Sequence, residues 1–326
     1  MRPIFVFVFW LCFTPTIAQR AIPVIFDTDI GPDYDDVGAM ALLHAFADHG
    51  EVGILATISC NAFETTGPAL SVLNTYFNRP EIPIGIVKNN FPNQACKQRW
   101  AQAIIAKYPH SLKSNEEAIE AVALYRKILS SQADKSVTII TVGFFTNLAN
   151  LLASSSDEYS SLNGHDLVLK KVKQVVSMAA GIGKDGVSAH EFNVYADANA
   201  ARKVFADWPT PILLSGFEIG EKIITGSRLI KNESIRQSPV KEAYQVALTS
   251  DNNLLGRNSW DQTAVLVAIK GYAPFFNVKK VNFEINEDGR NVLIPGEKFD
   301  YLTTKLPAHE VAEIIEELMM HQPGKK

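Results

Sequence analysis

Apolar runs of strand length alternate with helical patterns along most of the chain. The strand-length runs cover residues 22–26, 52–58, 82–87, 137–142, 172–178 and 212–214. The helical patterns cover residues 37–48, 65–77, 116–131, 146–153 and 198–205. Continuous Val and Ile runs between helices are typical of parallel strands covered on both faces. The pattern therefore predicts an α/β protein with a doubly wound, Rossmann-like, mostly parallel sheet.

The last part of the chain departs from this alternation. Residues 280–294 alternate around Asp288 and Gly289, which predicts a β-hairpin. Residues 308–320 have the apolar spacing of an amphipathic helix. No internal repeat, low-complexity segment or linker divides the sequence, so we predict a single domain over residues 19–326.

The first residues have the layout of a secretory signal peptide. Arg2 precedes an apolar run over residues 4–13, and small residues extend to Ala18. This run is shorter than the ~20 apolar residues that a membrane-spanning helix needs. We therefore assign residues 1–18 to a signal peptide and expect a secreted or periplasmic protein without a membrane anchor.

Composition and charge narrow the class of partner. The chain has 326 residues, of which 47% are hydrophobic and 20% charged, which is enough for a large buried core. Its formal net charge is −4 and no basic stripe is visible, so nucleic acid is not an expected partner. Beyond the predicted signal peptide, Cys60 and Cys96 permit one disulfide, and two buried free thiols fit equally well.

Five aspartates follow the first apolar run within ten residues. The stretch FDTDIGPDYDDVGAM contains them, and they are Asp27, Asp29, Asp33, Asp35 and Asp36. Like charges this close oppose folding unless a cation or a hydroxylated ligand compensates them. Ligands of doubly wound sheets bind beyond the carboxyl ends of the strands, where other polar segments of this chain also lie. We therefore interpret the stretch as the floor of an active site.

The spacing of these aspartates distinguishes several kinds of site. Counted from Asp33, an EF-hand loop would have glycine at Gly38 but needs glutamate where His44 stands. A phosphatase-type nucleophile loop remains a weak match. A calcium ion held from two sides of a turn by Asp29 and Asp36 fits the hard carboxylate oxygens. An acidic loop that only caps the next helix needs one or two carboxylates, not five.

Six motifs resemble those of the nucleoside hydrolase family. They are DTDIGPDYDD at residues 27–36, ISCN ending at Asn61, TVGFFTNLA at 141–149, MAAG from Met178, HEFNVYADANAA at 190–201 and SWDQTAV at 259–265. Each motif alone is a weak signal, whereas their order and spacing together are specific. The resemblance implies the nucleoside hydrolase fold and calcium-dependent hydrolysis of the N-glycosidic bond of ribonucleosides to a free base and ribose.

The resemblance also implies roles for individual residues. Asp29 would bind calcium and act as the general base toward water. Asp36, Asp261 and the backbone carbonyl of Val142 would complete the calcium ligands. Asp35 would hold the ribose 2′-hydroxyl, with Asp27 supporting the site from behind. Asn61, Glu191 and Asn193 would hydrogen-bond ribose hydroxyls or neighbouring carboxylates. Met178 and Phe192 would line the sugar pocket, and Asp185 would contact the ribose.

The sequence departs from the family pattern at the leaving base. Inosine/uridine-preferring members have a histidine before the last calcium aspartate, where this chain has Trp260. The purine-specific members imply that the base stacks between aromatic rings, with Trp260 and Trp100 as the two faces and a purine preference as the result. Asp185 also stands where many members have asparagine. The alternative for each tryptophan is a place in the core.

Two other functions fit the same residues. One is a hydrolase of another N-ribosyl compound, and the other is a calcium-stabilised ribonucleoside-binding protein without turnover. The resemblance further implies a homodimer or homotetramer. The residues themselves suggest no role for Asp33.

Overall fold

The computed structural model of the protein describes residues 21–88 and 92–324. The predicted signal peptide, residues 1–18, lies outside the described residues. Within them, every helix is too short or too polar to cross a membrane.

The order of elements confirms the predicted alternation of strands and helices. The strands are β1 (Ile22–Thr28), β2 (Val52–Ser59), β3 (Ile84–Ile86), β4 (Ile119–Glu120), β5 (Val137–Thr141), β6 (Val172–Met178), β7 (Ser188–Ala189), β8 (Ile212–Ser215), β9 (Ile224–Thr225), β10 (Arg257–Asn258), β11 (Phe276–Ile285) and β12 (Asn291–Thr304). The helices are α1 (Asp35–Asp48), α2 (Thr66–Tyr76), α3 (Trp100–Lys107), α4 (Ala121–Ser131), α5 (Thr146–Ala153), α6 (Gly164–Lys171), α7 (Phe192–Tyr195), α8 (Ala198–Asp207), α9 (Phe217–Gly220), α10 (Ser227–Lys231), α11 (Pro239–Ser250), α12 (Trp260–Lys270) and α13 (Ala308–Met319).

The main sheet is doubly wound. Its strand order is β11-β12-β8-β6-β5-β1-β2-β3-β4, with β7 paired to β12. The strands from β8 to β4 in this order pair in parallel, and β1 lies between β2 and β5. From β1 the chain first builds outward to β4 and then returns to β5 and builds the other way. The carboxyl ends of β1 and β5 therefore meet at a topological switch point, where such sheets bind ligands.

The predicted hairpin near the end of the chain is present and longer than expected. Antiparallel β11 and β12 have ten and fourteen residues, with Gly289 at a positive φ in the turn between them. Because β12 also pairs in parallel with β8, the hairpin extends the main sheet at one edge.

Helices cover both faces of the sheet, as the continuous apolar strands predicted. Alternate residues of β1 belong to different core clusters, with Val24 and Phe26 in one and Ile25 in the other. The first cluster includes residues of α1, α2, α3, α11, α12 and α13, and the second includes residues of α4, α5, α6 and α8. Cys60 and Cys96 are both buried and free, so the free-thiol alternative is the one observed.

Arg126 fastens the segment that joins α5 to α6. Its side chain on α4 is only 2% exposed. It donates to both carboxylate oxygens of Asp157 at 2.6 and 2.9 Å, to Ser154 Oγ at 2.9 Å, and to the carbonyls of Ser160 and Leu162. One buried guanidinium thus donates to four residues of this connection.

We expect Arg126→Met to lower the free energy of unfolding by about 2 kcal/mol or more, because it leaves these acceptors without a donor. Urea unfolding measures the change. Arg228→Met is the matched control, since Arg228 is half exposed and meets Glu317 only at 3.7 Å. A loss for Arg126→Met no larger than that of the control would contradict the proposed fastening role.

Candidate active site

The aspartate stretch forms the turn between β1 and α1. The first helical residues of α1 are Asp35 and Asp36, whose carboxylates lie near the positive end of that helix. Both are buried although they are charged side chains. The backbone N–H of Val142 donates to the carbonyl of Asp27 at 2.8 Å, which brings the end of β5 beside this turn.

Asp261 joins the cluster from the distant helix α12. It lies in the first turn of that helix, and its backbone N–H donates to Asp35 Oδ2 at 3.3 Å. One carboxylate oxygen from each of Asp35, Asp36 and Asp261 lies within 4.8 Å of the others. Thr28 Oγ1 donates to one oxygen of Asp36, and the other, Oδ2, is buried with no hydrogen-bond partner in the described residues.

Burial and mutual repulsion shape the protonation of this cluster. Burial, with repulsion from neighbouring carboxylates, raises the pKa of Asp29 and of Asp35 from 3.8 to about 8. The same causes raise the pKa of Asp36 and of Asp261 well above the ordinary value. Without a cation the charged cluster is thus costly. A hard divalent cation with oxygen ligands fits the orphan oxygen of Asp36 and the close carboxylates.

The cluster lies at the bottom of an open cleft of about 200 Å³. Of the residues predicted to form the site, ten line this cleft: Asp29, Asp35, Asp36, Val142, Met178, Glu191, Phe192, Asn193, Trp260 and Asp261. The three carboxylates that could hold a cation include Asp35, which the sequence analysis assigned to the ribose alone.

Glu191 and Asn193 organise the wall next to the floor. The carboxylate of Glu191 accepts from the backbone N–H groups of Asn193 at 2.9 Å and Ala180 at 3.0 Å and so caps α7. Burial raises the pKa of Glu191 to about 7 despite these bonds. Asn193 Nδ2 donates to the carbonyls of Val142 at 3.1 Å and Met178 at 3.0 Å. Asn193 therefore orients the carbonyl of Val142, which has a second lone pair for a cation.

Asp27 lies beneath the floor, where the sequence predicted a supporting residue. Tyr125 Oη donates to its carboxylate at 2.8 Å and Asn147 Nδ2 at 3.0 Å. Burial raises the pKa of Asp27 to about 7, and these hydrogen bonds oppose the shift.

Three predicted substrate contacts lie outside the cleft. The amide of Asn61 donates to the carbonyls of Asp29 and Gln94, both at 2.9 Å, so it holds the backbone of Asp29 and does not face the sugar. Trp100 is fully buried in the core, where its ring serves packing. Asp185 is exposed and closes its own turn by accepting from the backbone of Val187 and Ser188 at 2.9 and 2.8 Å. The structure therefore contradicts the expected stacking of Trp100 on the base and the expected contacts of Asn61 and Asp185 with the ribose.

The mouth of the cleft contains two residues that the sequence analysis missed. Phe217 stacks on Trp260 with ring centroids 5.2 Å apart, and Trp260 Nε1 donates to the carbonyl of Phe217 at 2.9 Å. The guanidinium of Arg257 lies 4.9 Å from the Trp260 ring and forms an ion pair with Asp33. Phe217 directly follows Gly216 at the carboxyl end of β8, so the strand-end rule could have found it. The partner of Asp33 lies 224 residues away and left no local signal.

Comparisons with known proteins agree with this architecture. A pyrimidine-specific ribonucleoside hydrolase, RihA of Shewanella sp. strain MR-4, is 31% identical over 214 residues, which are 60% of this chain and 59% of that protein. The chain therefore matches about six tenths of the length of that relative.

Solved structures share the fold over almost the whole chain. The effector protein XOO4466 matches with a TM-score of 0.72 at 13% identity, covering 93% of this chain and 94% of that one. A purine-preferring ribonucleoside hydrolase from Gardnerella vaginalis matches with a TM-score of 0.68 at 14% identity, covering 91% and 99%. At these identities the likeness establishes the nucleoside hydrolase fold alone.

The family itself is established by a match over most of the sequence. The description of the inosine-uridine preferring nucleoside hydrolase family fits residues 24–316, from β1 into α13. This range contains every residue that lines the cleft. The chain belongs to the inosine-uridine preferring nucleoside hydrolase family.

Proposed function

We propose that the protein is a calcium-dependent hydrolase that cleaves the N-glycosidic bond of ribonucleosides. One observation carries this proposal: three buried carboxylates converge at the floor of a cleft whose mouth is lined by flat side chains. The floor suits a cation and a sugar diol, and the mouth suits a planar base. Family membership supports the reaction type, and the named relatives act on different bases.

The donor set favours calcium among common metal ions. The described residues of the floor offer carboxylate and carbonyl oxygens and no histidine or cysteine ligand. Such oxygen-only sets suit calcium rather than zinc. Calcium bound there would polarise a water and hold ribose hydroxyls. The residues that would hold it are Asp36, Asp261 and Val142, with Asp29 and Asp35 beside them.

Asp29 would accept the proton of the attacking water. It lines the cleft, yet it is almost fully buried, and Asn61 fixes its backbone carbonyl. A general base with restricted motion near the reacting carbon accelerates proton transfer without reorganising. Asp29 therefore acts on water, while Asn61 positions it.

Negative charge on the floor serves the sugar as well. Cleavage of the glycosidic bond builds positive charge on the ribose ring, which nearby carboxylates stabilise more than they stabilise the neutral substrate. Asp35 has an oxygen free to accept from the 2′-hydroxyl, since Asp261 N–H occupies only its Oδ2. Preference for ribose over 2′-deoxyribose follows from this contact.

The direct test is a ribose-release assay on ribonucleosides and their 2′-deoxy forms, with and without a calcium chelator. We expect release from ribonucleosides that chelation abolishes and readdition of calcium restores, and rates at least about tenfold lower on deoxynucleosides, because a charged hydrogen bond is lost. Asp29→Asn should lower kcat by about 10² to 10⁴, the usual contribution of a general base. Tight ribonucleoside binding with no ribose release would instead indicate a binding protein.

The raised carboxyl pKa values predict how the metal-free protein responds to pH. The pKa of Asp29 and of Asp35 is about 8 in the folded state against an ordinary 3.8, so the folded state holds their protons more tightly than the unfolded state does. This stabilisation is complete below pH ~4 and is lost as the pH rises through about 8. Calcium must displace the same protons.

We therefore expect the Tm of the chelated protein to fall between pH 5 and pH 9, while calcium affinity rises over that range and binding releases protons. Thermal unfolding and calorimetry in two buffers of different ionisation enthalpy measure both effects. Asp36→Asn should abolish the calcium response, whereas Glu287→Gln, at an exposed hairpin carboxylate, should leave it unchanged. Calcium binding that is independent of pH would argue against protonated carboxyls in the metal-free site.

We further propose a purine preference that depends on Trp260. The indole is half-buried at the mouth, and its hydrogen bond to Phe217 fixes its orientation. A two-ring base covers more of this aromatic wall than a one-ring base does.

Trp260→Ala should lower kcat/KM for inosine and guanosine about tenfold or more, the usual worth of one stacked base, with a smaller loss for uridine. Trp260→Phe keeps an aromatic ring and should retain most of the purine activity. Tyr272→Ala serves as the control, since Tyr272 lies just beyond the other end of α12. An unchanged ratio of purine to pyrimidine rates in Trp260→Ala, with normal calcium content, would refute the stacking role.

The N-terminal pattern supports a further proposal, that the protein is secreted or periplasmic. Its basis is the apolar run over residues 4–13 between Arg2 and Ala18.

A further inference from the structure

Among the described residues that line the cleft, Arg257 has the single cationic side chain. It lies on the short strand β10, three residues before the indole of Trp260. About a quarter of its side chain is exposed. The six other ionisable side chains that line the cleft are all acidic, so a cation among them calls for a specific function. They are Asp29, Asp35, Asp36, Glu191 and Asp261 at the floor and wall, and Asp33 at the mouth.

The surroundings of Arg257 hold its guanidinium in one place. It forms an ion pair with Asp33, and its Cζ lies 5.3 Å from the Tyr34 ring and 4.9 Å from the Trp260 ring. Its Nε is 3.9 Å from Asp35 Oδ1, so the guanidinium lies directly above the carboxylate floor. A ribose on that floor places its base at the level of this group.

Most donors of Arg257 are unused. A guanidinium has five N–H donors, and the hydrogen bond that Arg257 makes within the described residues goes to Asp33. Its Nε is buried and has no hydrogen-bond partner there. A buried donor without an acceptor costs free energy, which an acceptor on a ligand would recover.

We propose that Arg257, positioned by Asp33, selects the base by donating hydrogen bonds to a ring carbonyl. This inference rests on the proposed hydrolysis of ribonucleosides and adds which bases are favoured. A guanidinium only donates, and the O6 and N7 atoms of hypoxanthine and guanine both accept. Adenine has an amino donor at C6, so two hydrogen-bond donors would face each other there with no acceptor between them. Uracil and cytosine differ in the same way at C4.

Arg257 also contacts the aromatic wall of the cleft through the ring of Trp260. The ring of Trp260 already has two flat partners, Phe217 at 5.2 Å and the guanidinium at 4.9 Å. The indole therefore supports the guanidinium of Arg257. Selection between a carbonyl and an amino group is a property of that guanidinium and is separate from the proposed purine preference.

The test is a comparison of kcat/KM for inosine against adenosine and for uridine against cytidine. In the wild type we expect the carbonyl-bearing member of each pair to be favoured, and in Arg257→Leu we expect each ratio to fall about tenfold or more, the range of one good donor pair. Nucleosides differ in intrinsic lability, and this difference cancels when the ratio in the variant is divided by the ratio in the wild type. Arg257→Lys keeps the charge but not the planar fork, so it should give intermediate ratios.

Asp33→Asn tests the positioning step without removing the donor. It should lower the same two ratios by a smaller factor than Arg257→Leu does, and calcium affinity should stay within about twofold of the wild type. Arg236→Leu, at an exposed arginine, is the matched control and should leave both ratios unchanged. A purely structural role would lower all four rates together and leave the ratios as they were.

The inference is overturned if both ratios persist in Arg257→Leu and in Asp33→Asn. This outcome differs from failure of the proposed function. In that case the wild-type protein with calcium would release ribose from none of the four nucleosides.

Discussion

The cost of burying several carboxylates together is the constraint on which this structure depends. Two helices reduce that cost. Asp35 and Asp36 are the first residues of α1, and Asp261 lies in the first turn of α12. The positive ends of both helices point at the cluster and favour its charged form. The pKa values nevertheless remain raised, so the helices reduce the cost without removing it. The remaining free-energy cost of the buried charges would be offset by a bound cation or by a developing positive charge.

This arrangement requires α1 and α12 to pack closely beneath the cleft. A side chain at Gly38 of α1 would place its Cβ only 2.4 Å from Gln262 Nε2 of α12, so glycine allows the two helices to approach. Both helices are buried along almost their whole length, which fixes the direction of their first turns. The carboxylates cannot turn away from one another toward solvent. The core therefore holds the site in a preorganised state.

The sequence predicts those parts of the structure that local pattern controls. Alternating apolar runs predicted the doubly wound sheet, and the strand-end rule brought Asp29 and Asn193 to one edge, whereas Asp261 was implied by the family resemblance alone. It could not predict the direction of individual side chains, and so Asn61 was assigned to the sugar although its amide bonds the backbone of Asp29. Helix α12 was not predicted as an element because it is apolar on nearly all sides and shows no amphipathic stripe. Arg257 was missed because its partner Asp33 is remote in sequence.

The five clustered aspartates consequently differ in electrostatic role. Asp27 lies beneath the floor, bonded to Tyr125 and Asn147, and has no access to the cleft. Asp33 is the one whose charge is matched by a cation of the protein itself, and this pairing separates it from the others. If Arg257 instead paired fully with Asp35, it would neutralise the floor where positive charge must develop. By holding the guanidinium at the mouth, Asp33 separates the positive charge of Arg257 from the carboxylates of the floor. In the proposed reaction these opposite charges would lie on the two sides of the bond that breaks, which would favour its heterolysis.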